Sequence, residues 1–163
     1  MQLGAIDQGT TSTRALMLSA AKAEVCATFT HQQFYPSSGW VEHDPRELLK
    51  NVIACSEALV SADALGLANQ GESCLAWDRK TGQPISPVIV WQDNRTANIT
   101  NKLKKEGHEE RVKALSGLPL DPYFSASKLA WILANVPEAK DLLREKRLAL
   151  GTTDAFFMQN LIG

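Results

Sequence analysis

The sequence is poor in the features that mark membrane, secreted and nucleic-acid-binding proteins. Its 163 residues hold no apolar run near the roughly 18 residues that a bilayer span requires. Met1-Gln2-Leu3 opens the chain without the basic stretch and long apolar segment of a secretory signal. Cysteine is scarce: Cys26, Cys55 and Cys74 are odd in number, far apart and in no metal-ligand spacing. That pattern argues against a disulfide framework, and all three read as small buried or half-buried hydrophobes in a cytoplasmic chain. Excess charge is missing too, since 17 Lys+Arg against 18 Asp+Glu leave a net charge of −1. Binding a phosphate backbone needs a clustered basic face, so the charge balance speaks against nucleic acid as a partner. The one dense stretch, Lys102-Leu103-Lys104-Lys105-Glu106, carries both signs and reads as a solvated helix face.

What is present is a 44% hydrophobic composition, enough at this length to bury one cohesive core. Leu3 to Ile6, Arg14 to Leu18 and Glu24 to Thr30 read as three short strands joined by tight connections, an antiparallel meander. Asp44-Pro45-Arg46-Glu47 combines an N-cap residue, a proline at the first helical position and a Glu placed to reach back, which starts a helix running to about residue 61. Ala64 to Ala68 is an apolar run without polar alternation, expected as a strand covered on both faces. Cys74 to Trp77 and Pro87 to Trp91 flank a Gly-bearing turn and form a hairpin. Helices are expected at about 93 to 106, 108 to 116, 125 to 135 and 137 to 146, then a strand at 147 to 150 and a last helix. The order defines an α/β domain with a mixed sheet flanked by helices, not an alternating doubly wound one.

Asp7-Gln8-Gly9-Thr10-Thr11-Ser12-Thr13-Arg14 is the most informative segment. Two readings fit it. In one, Asp7 at a strand end holds Mg2+, Gly9 lets backbone approach a phosphate, the following hydroxyls and amides donate to its oxygens, and Arg14 adds a forked charged contact. In the other it is a hydroxyl-rich turn whose Asp caps its own backbone. No Gly-Lys-Ser/Thr follows, so it is not a P-loop.

Four ordered segments spread along the chain carry a family resemblance: Ile6 to Arg14, Gly39-Trp40-Val41-Glu42-His43-Asp44-Pro45, Val90-Trp91-Gln92-Asp93-Asn94-Arg95-Thr96, and Gly117-Leu118-Pro119-Leu120-Asp121-Pro122-Tyr123-Phe124-Ser125. Together they resemble the N-terminal domain of the FGGY family of carbohydrate kinases, and within it the glycerol kinase branch. The resemblance implies a ribonuclease-H-like, actin-like ATPase fold whose two domains enclose a cleft. Residues 1–163 are then an incomplete first domain, with its end and the second domain lying beyond. It implies ATP and Mg2+ as cofactors, a polyol or sugar as substrate, and homo-oligomers as a common state of the family. Asp7 would stand near the metal and the transferred phosphate. Gly9, Thr10, Thr11, Ser12 and Arg14 would contact the nucleotide phosphates, and Gln70, Glu72, Trp91 and Tyr123 would line the polyol site.

One position departs from the pattern. Where the glycerol kinases carry Asn-Gln-Arg-Glu, this chain has Asn69-Gln70-Gly71-Glu72. An arginine that holds substrate hydroxyls is replaced by no side chain, so the expected substrate is something other than glycerol, or glycerol held differently. The family's general base is an Asp that would lie past Gly163, so no catalytic residue is assigned here. His31 and His43 are poor substitutes, and His43 reads as a surface or capping residue. Asp93 and Arg95 read as a structural ion pair at a helix start, and Asp154 as a helix cap. The expected function is the N-terminal part of an ATP-dependent carbohydrate kinase, inactive by itself. The alternative is a non-catalytic actin-like domain that binds nucleotide or sugar. A metal-dependent nuclease on a related fold would need further carboxylates beside Asp7 and a basic surface, which the charge balance does not offer.

Overall fold

A computed structural model describes residues 1–163. The strands form two sheets where the sequence suggested one. The first has the order β3-β2-β1-β5, built from β1 (Leu3–Gln8), β2 (Ser12–Leu18), β3 (Ala23–Thr30) and β5 (Ala64–Asn69). It is the mixed sheet, with β1 antiparallel to β2 and parallel to β5. The second has the order β4-β7-β6-β8 and is antiparallel throughout, from β4 (Glu42–His43), β6 (Cys74–Asp78), β7 (Val88–Ile89) and β8 (Leu148–Thr152). The division falls at the turn after β5, where Glu72 takes φ +63 and the chain leaves the first sheet.

Helix α1 (Pro45–Glu57) begins as its sequence dictates. Asp44 accepts from the Arg46 amide at 2.8 Å, and Pro45 occupies the first turn. Glu47 does not reach back to the cap; its carboxylate accepts from the Gln32 amide at 3.2 Å and so ties the helix to the end of β3. The helix stops short of residue 61, with Ala58 as its C-cap. The remaining helices are α2 (Ala97–Lys105), α3 (Glu109–Ser116), α4 (Ser125–Asn135), α5 (Pro137–Arg144) and α6 (Thr153–Ile162). Gly117 ends α3 at φ +75, a left-handed cap that a side chain would strain. Asp154 is not the cap of α6; Thr152 holds that position without a side-chain bond, and Asp154 accepts from Asn69 at 3.3 Å instead.

The main core lies between the two sheets. Ile6 and Ala15 from the first sheet meet Leu48, Val52, Cys55 and Leu59 of α1, Leu75 and Trp77 of β6, Val88 of β7, and Phe156 and Phe157 of α6. A smaller cluster of Ala76, Ile89 and Ile132 sits on the far face of the second sheet under α4. Strand β6 is therefore buried at every position because both its faces are covered. The sequence assigned that double cover to β5, which instead lies at a sheet edge with four of its six residues exposed. Cys26 is likewise exposed, while Cys55 and Cys74 are buried. Cys26 sits on β3, the other edge strand, six of whose eight residues are exposed.

Phe156 is fully buried and packs edge-on against Trp77 at 5.7 Å between centroids. Phe156→Ala should cost about 3–5 kcal/mol through lost burial and a residual cavity. Leu115→Ala, at a side chain 79% exposed, should change stability by less than about 0.5 kcal/mol. Chemical denaturation of the two variants checks the contrast.

Candidate functional site

Parallel pairing of β1 with β5 places Gln8 opposite Asn69, so the loops that follow both strands emerge at one edge. Ligands of α/β sheets gather at the carboxyl ends of parallel strands. The first loop is the hairpin Gly9 to Ser12, closed by the Gly9 amide donating to the Ser12 carbonyl at 2.9 Å. A Cβ at Gly9 would stand 3.3 Å from that carbonyl oxygen, so only glycine lets the turn close without a shift. Asp7 and Arg14 face each other across β1 and β2, both exposed, at the hairpin end of the sheet face that bears Leu3 and Leu18 further down.

The second loop is Gln70 to Ser73. Glu72, in its left-handed conformation, turns its carboxylate onto the start of α4: Oε2 accepts from the Ser125 amide at 2.8 Å and from the Ser125 hydroxyl at 2.5 Å. A carboxylate at a helix N-terminus satisfies an orphan donor and meets the positive end of the helix dipole. These contacts leave Oε1 open to a ligand. Gly71, beside it, has nothing within 4 Å of where a Cβ would stand. Gln70 turns inward rather than toward a ligand: it is 7% exposed, and its amide is engaged by His43 and Ser73.

Trp91 joins the two loops. Its indole N–H donates to Thr10 Oγ1 at 3.1 Å, and its backbone N–H donates to Ser73 Oγ at 3.1 Å. The ring centroid stands 5.6 Å from that of Tyr123, which is 42% exposed. Lys128, on α4 and fully buried, donates from Nζ to the Tyr123 carbonyl and so fixes the Asp121-Pro122-Tyr123 loop. Burial pushes the Lys128 amine below its ordinary range.

Behind the loops lies a buried polar circuit that the sequence did not reveal. Ser73 donates to Gln70 Oε1 at 3.3 Å, and the Gln70 amide nitrogen meets His43 Nδ1 at 3.1 Å. His43 packs edge-on against His31 at 4.7 Å, and His31 Nε2 donates to the Thr10 carbonyl at 2.9 Å. His43 is thus a 1%-exposed core residue on β4, not a surface or capping one. Burial, reinforced by His31, pushes its pKa down to about 4, and burial lowers His31 as well. The circuit demands neutral rings. His43 must accept at Nδ1, which puts its proton on Nε2, and His31 must keep its proton on Nε2, which leaves Nδ1 as an acceptor. Those two remaining atoms, a donor and an acceptor, are both buried without a partner.

Asp93 and Arg95 form the structural pair expected of them. Arg95 spans both Asp93 oxygens at 2.9 and 2.8 Å and Glu42 at 2.7 Å. Its guanidinium lies 3.8 Å from the Trp40 ring centroid and 4.7 Å from that of Trp131. Full pairing plus aromatic faces is what makes a buried arginine tolerable. Of the sequence-derived site residues, Thr10, Trp91 and Tyr123 are brought together by direct contacts, Glu72 stands next in sequence to Ser73, which accepts from the Trp91 amide, and Asp7, Gly9, Thr11, Ser12 and Arg14 flank Thr10 on the hairpin. His31, His43, Ser73, Ser125 and Lys128 support them. None of these five follows a spacing that marks it in the sequence.

No group of three or more His, Cys, Asp or Glu side chains could hold a metal ion by itself. Asp7, exposed at the strand end, can offer one carboxylate, which suits a cation such as Mg2+ that takes its other ligands from phosphates and water.

A hydroxyl-lined hairpin, a loop carrying Glu72 and the Trp91–Tyr123 ring pair are thus set on one edge of an α/β fold. The chain belongs to the FGGY family of carbohydrate kinases, whose N-terminal domain it matches over residues 2–163. It is 46% identical over 165 residues to the glycerol kinases of Burkholderia cenocepacia and Paraburkholderia phytofirmans, alignments that take in 96% of this chain and 33% of the Burkholderia cenocepacia protein. The chain thus spans about one third of the length of these relatives. Among solved structures it superposes on Plasmodium falciparum glycerol kinase with ADP at a TM-score of 0.85 and 26% identity, covering 98% of this chain and 34% of that one. It superposes on ligand-bound xylulose kinase of Lactobacillus acidophilus at 0.82 and 20% identity, covering 98% and 33%. The fold is that of the actin-like ATPase sugar kinases. No helix is long and apolar enough to cross a membrane.

Between pH 6.5 and about 4 the unfolded chain carries a proton on His43 that the folded chain refuses. Stability from this group is therefore complete above pH 6.5 and is lost as pH falls toward 4, by at most about 1.4 kcal/mol per pKa unit. His43→Gln should lose melting temperature more slowly than the parent chain between pH 7 and pH 5. Equal slopes in thermal melts would refute a neutral, buried His43.

Proposed function

We propose that this chain is the N-terminal part of an ATP-dependent polyol or sugar kinase of the cytoplasm, and that the hairpin and the Glu72–Trp91–Tyr123 cluster are its phosphate and substrate subsites. The observation that carries this reading is the single edge at which the parallel β1 and β5 deliver both loops, with Trp91 hydrogen-bonded to each. In the reaction, a substrate hydroxyl oxygen forms a bond to the γ-phosphorus of ATP as the bond from that phosphorus to the β,γ-bridging oxygen breaks. Such transfers depend on positioning and on stabilisation of charge around the transferred group. Thr10, Thr11 and Ser12 offer hydroxyl donors to phosphate oxygens, and Arg14 offers a fork. Glu72 Oε1 accepts from substrate hydroxyls, while Trp91 and Tyr123 present apolar faces to its carbons. Asp7 would hold Mg2+, which, when bound, neutralises phosphate charge. The resemblance to the family implies that the base that takes the hydroxyl proton lies outside residues 1–163, and His31 and His43, turned into the buried circuit, and Glu72, engaged at α4, support that reading.

Substrate choice follows from Gly71. In the glycerol kinase branch an arginine at this place holds substrate hydroxyls, and here the space beside Glu72 is open. A larger polyol or sugar fills that volume and recovers contacts that glycerol cannot make. Coupled ADP release by the full-length protein against glycerol and a panel of four- and five-carbon polyols and sugars should show turnover on a larger substrate. Gly71→Arg should then raise the glycerol preference in kcat/KM by about 100-fold or more. Efficient turnover of glycerol by the parent protein would overturn the role of Gly71. Phosphorylation of nothing in the panel would overturn the kinase reading in favour of a non-catalytic nucleotide- or sugar-binding domain.

A further inference from the structure

We infer that Trp91 is a positioning residue for the transferred phosphate: its indole N–H fixes Thr10 as a hydrogen-bond donor, and through this bond polyol occupancy changes nucleotide affinity. The inference rests on the kinase reading above and adds a role beyond that of an apolar wall.

An indole N–H donates and cannot accept, so at 3.1 Å from Trp91 Nε1 the Thr10 oxygen is the acceptor. The hydroxyl hydrogen is thereby turned away from the indole. The Thr10 carbonyl is separately engaged by His31 Nε2 at 2.9 Å, and the His31 amide donates to the Thr11 carbonyl at 3.4 Å. With its carbonyl and one hydroxyl lone pair occupied, Thr10 offers an outward O–H donor, the polarity that a phosphate oxygen requires. Threonine alone has no such bias, because its hydroxyl rotates to suit either partner.

The other end of Trp91 is tied to the substrate loop. Its backbone N–H donates to Ser73 Oγ at 3.1 Å, and its ring stands 5.6 Å from Tyr123 between centroids. Val90 before it is fully buried, which anchors the backbone. A polyol packed on the indole face therefore restrains the same ring whose N–H orients Thr10. Ordering a shared element once lowers the ordering cost for the second ligand, and the effect is reciprocal.

The test uses the full-length protein and calorimetric titration with a non-hydrolysable ATP analogue plus Mg2+. Without polyol, Trp91→Phe keeps an aromatic wall but removes the N–H, and should weaken the analogue about three- to tenfold. Thr10→Val should do the same, and the double variant should be no weaker than either alone. Thr10→Ser, which keeps the hydroxyl, should retain the parent affinity. Additive single effects, or an unchanged affinity in Trp91→Phe, would overturn the positioning role. With glycerol, erythritol or ribitol at saturation, the parent protein should bind the analogue about tenfold tighter, and Trp91→Phe should lose all but twofold of that gain. A parent protein that binds the panel without tightening, or a variant that keeps the full gain, would overturn the link. A parent protein that binds none of the three polyols would overturn both the link and the polyol reading, while the first titrations still decide the positioning role.

Discussion

The parallel register between Leu3–Gln8 and Ala64–Asn69 is the constraint on which the rest of this structure depends. Two consecutive strands of a meander cannot bring distant loops together, because their connections alternate between opposite ends of the sheet. A parallel pair can, provided a crossover returns the chain to the starting end. Helix α1 supplies that crossover between β3 and β5, and it begins where Asp44 and Pro45 require. The residues following Gln8 and Asn69 then share an edge, and the Asn69 side chain secures it by donating to Thr153 at 2.8 Å across to α6.

That edge is stiffened by buried polar groups rather than by more apolar packing. The Trp91–Ser73–Gln70–His43 chain and the His31 contact to Thr10 connect both loops through side chains whose donors and acceptors must alternate in one sense. Such a circuit tolerates one set of protonation states, so it specifies loop geometry in a way that interchangeable apolar contacts do not. Its cost is visible in the unpaired Nε2 of His43 and Nδ1 of His31. The Arg95 cluster does related work on the opposite flank, where Asp93 also accepts from the Val41 amide at 2.6 Å and so holds the stretch leading into β4.

Features of the fold that rest on neighbouring residues are legible in the sequence, and those that rest on distant pairings are not. The Asp44-Pro45 start of α1, the Gly117 end of α3, the Ser125 to Asn135 helix and the Asp93–Arg95 pair were all legible because each depends on residues a few positions apart. The split into two sheets was not legible, since it depends on how β6 pairs with β8 some 70 residues away. The same distance hid the histidine circuit: His43 sits in a Glu-His-Asp-Pro run that looks solvent-facing, and only its pairing with β7 carries it inward. The inward turn of Gln70 is hidden for a similar reason, since it depends on His43, 27 residues away. The apolar run of β5 suggested double cover, but apolarity does not distinguish a central strand from an edge one.

Gly71 sits between two anchors. Gln70 is held by His43 and Ser73, and Glu72, already at a positive φ uncommon for a residue with a side chain, is held by Ser125. A glycine in an unsupported loop would add freedom to the unfolded chain and slack to the folded one. Here the flanking contacts fix the backbone on both sides, and Gly71 itself keeps a conformation open to any residue, since it is not among the glycines with positive φ. The absent side chain therefore alters the space and chemistry beside Glu72 without loosening the loop that carries it. The residue at position 71 can change while Gln70, Glu72 and the start of α4 that Glu72 holds stay where they are, because none of their hydrogen bonds runs through it.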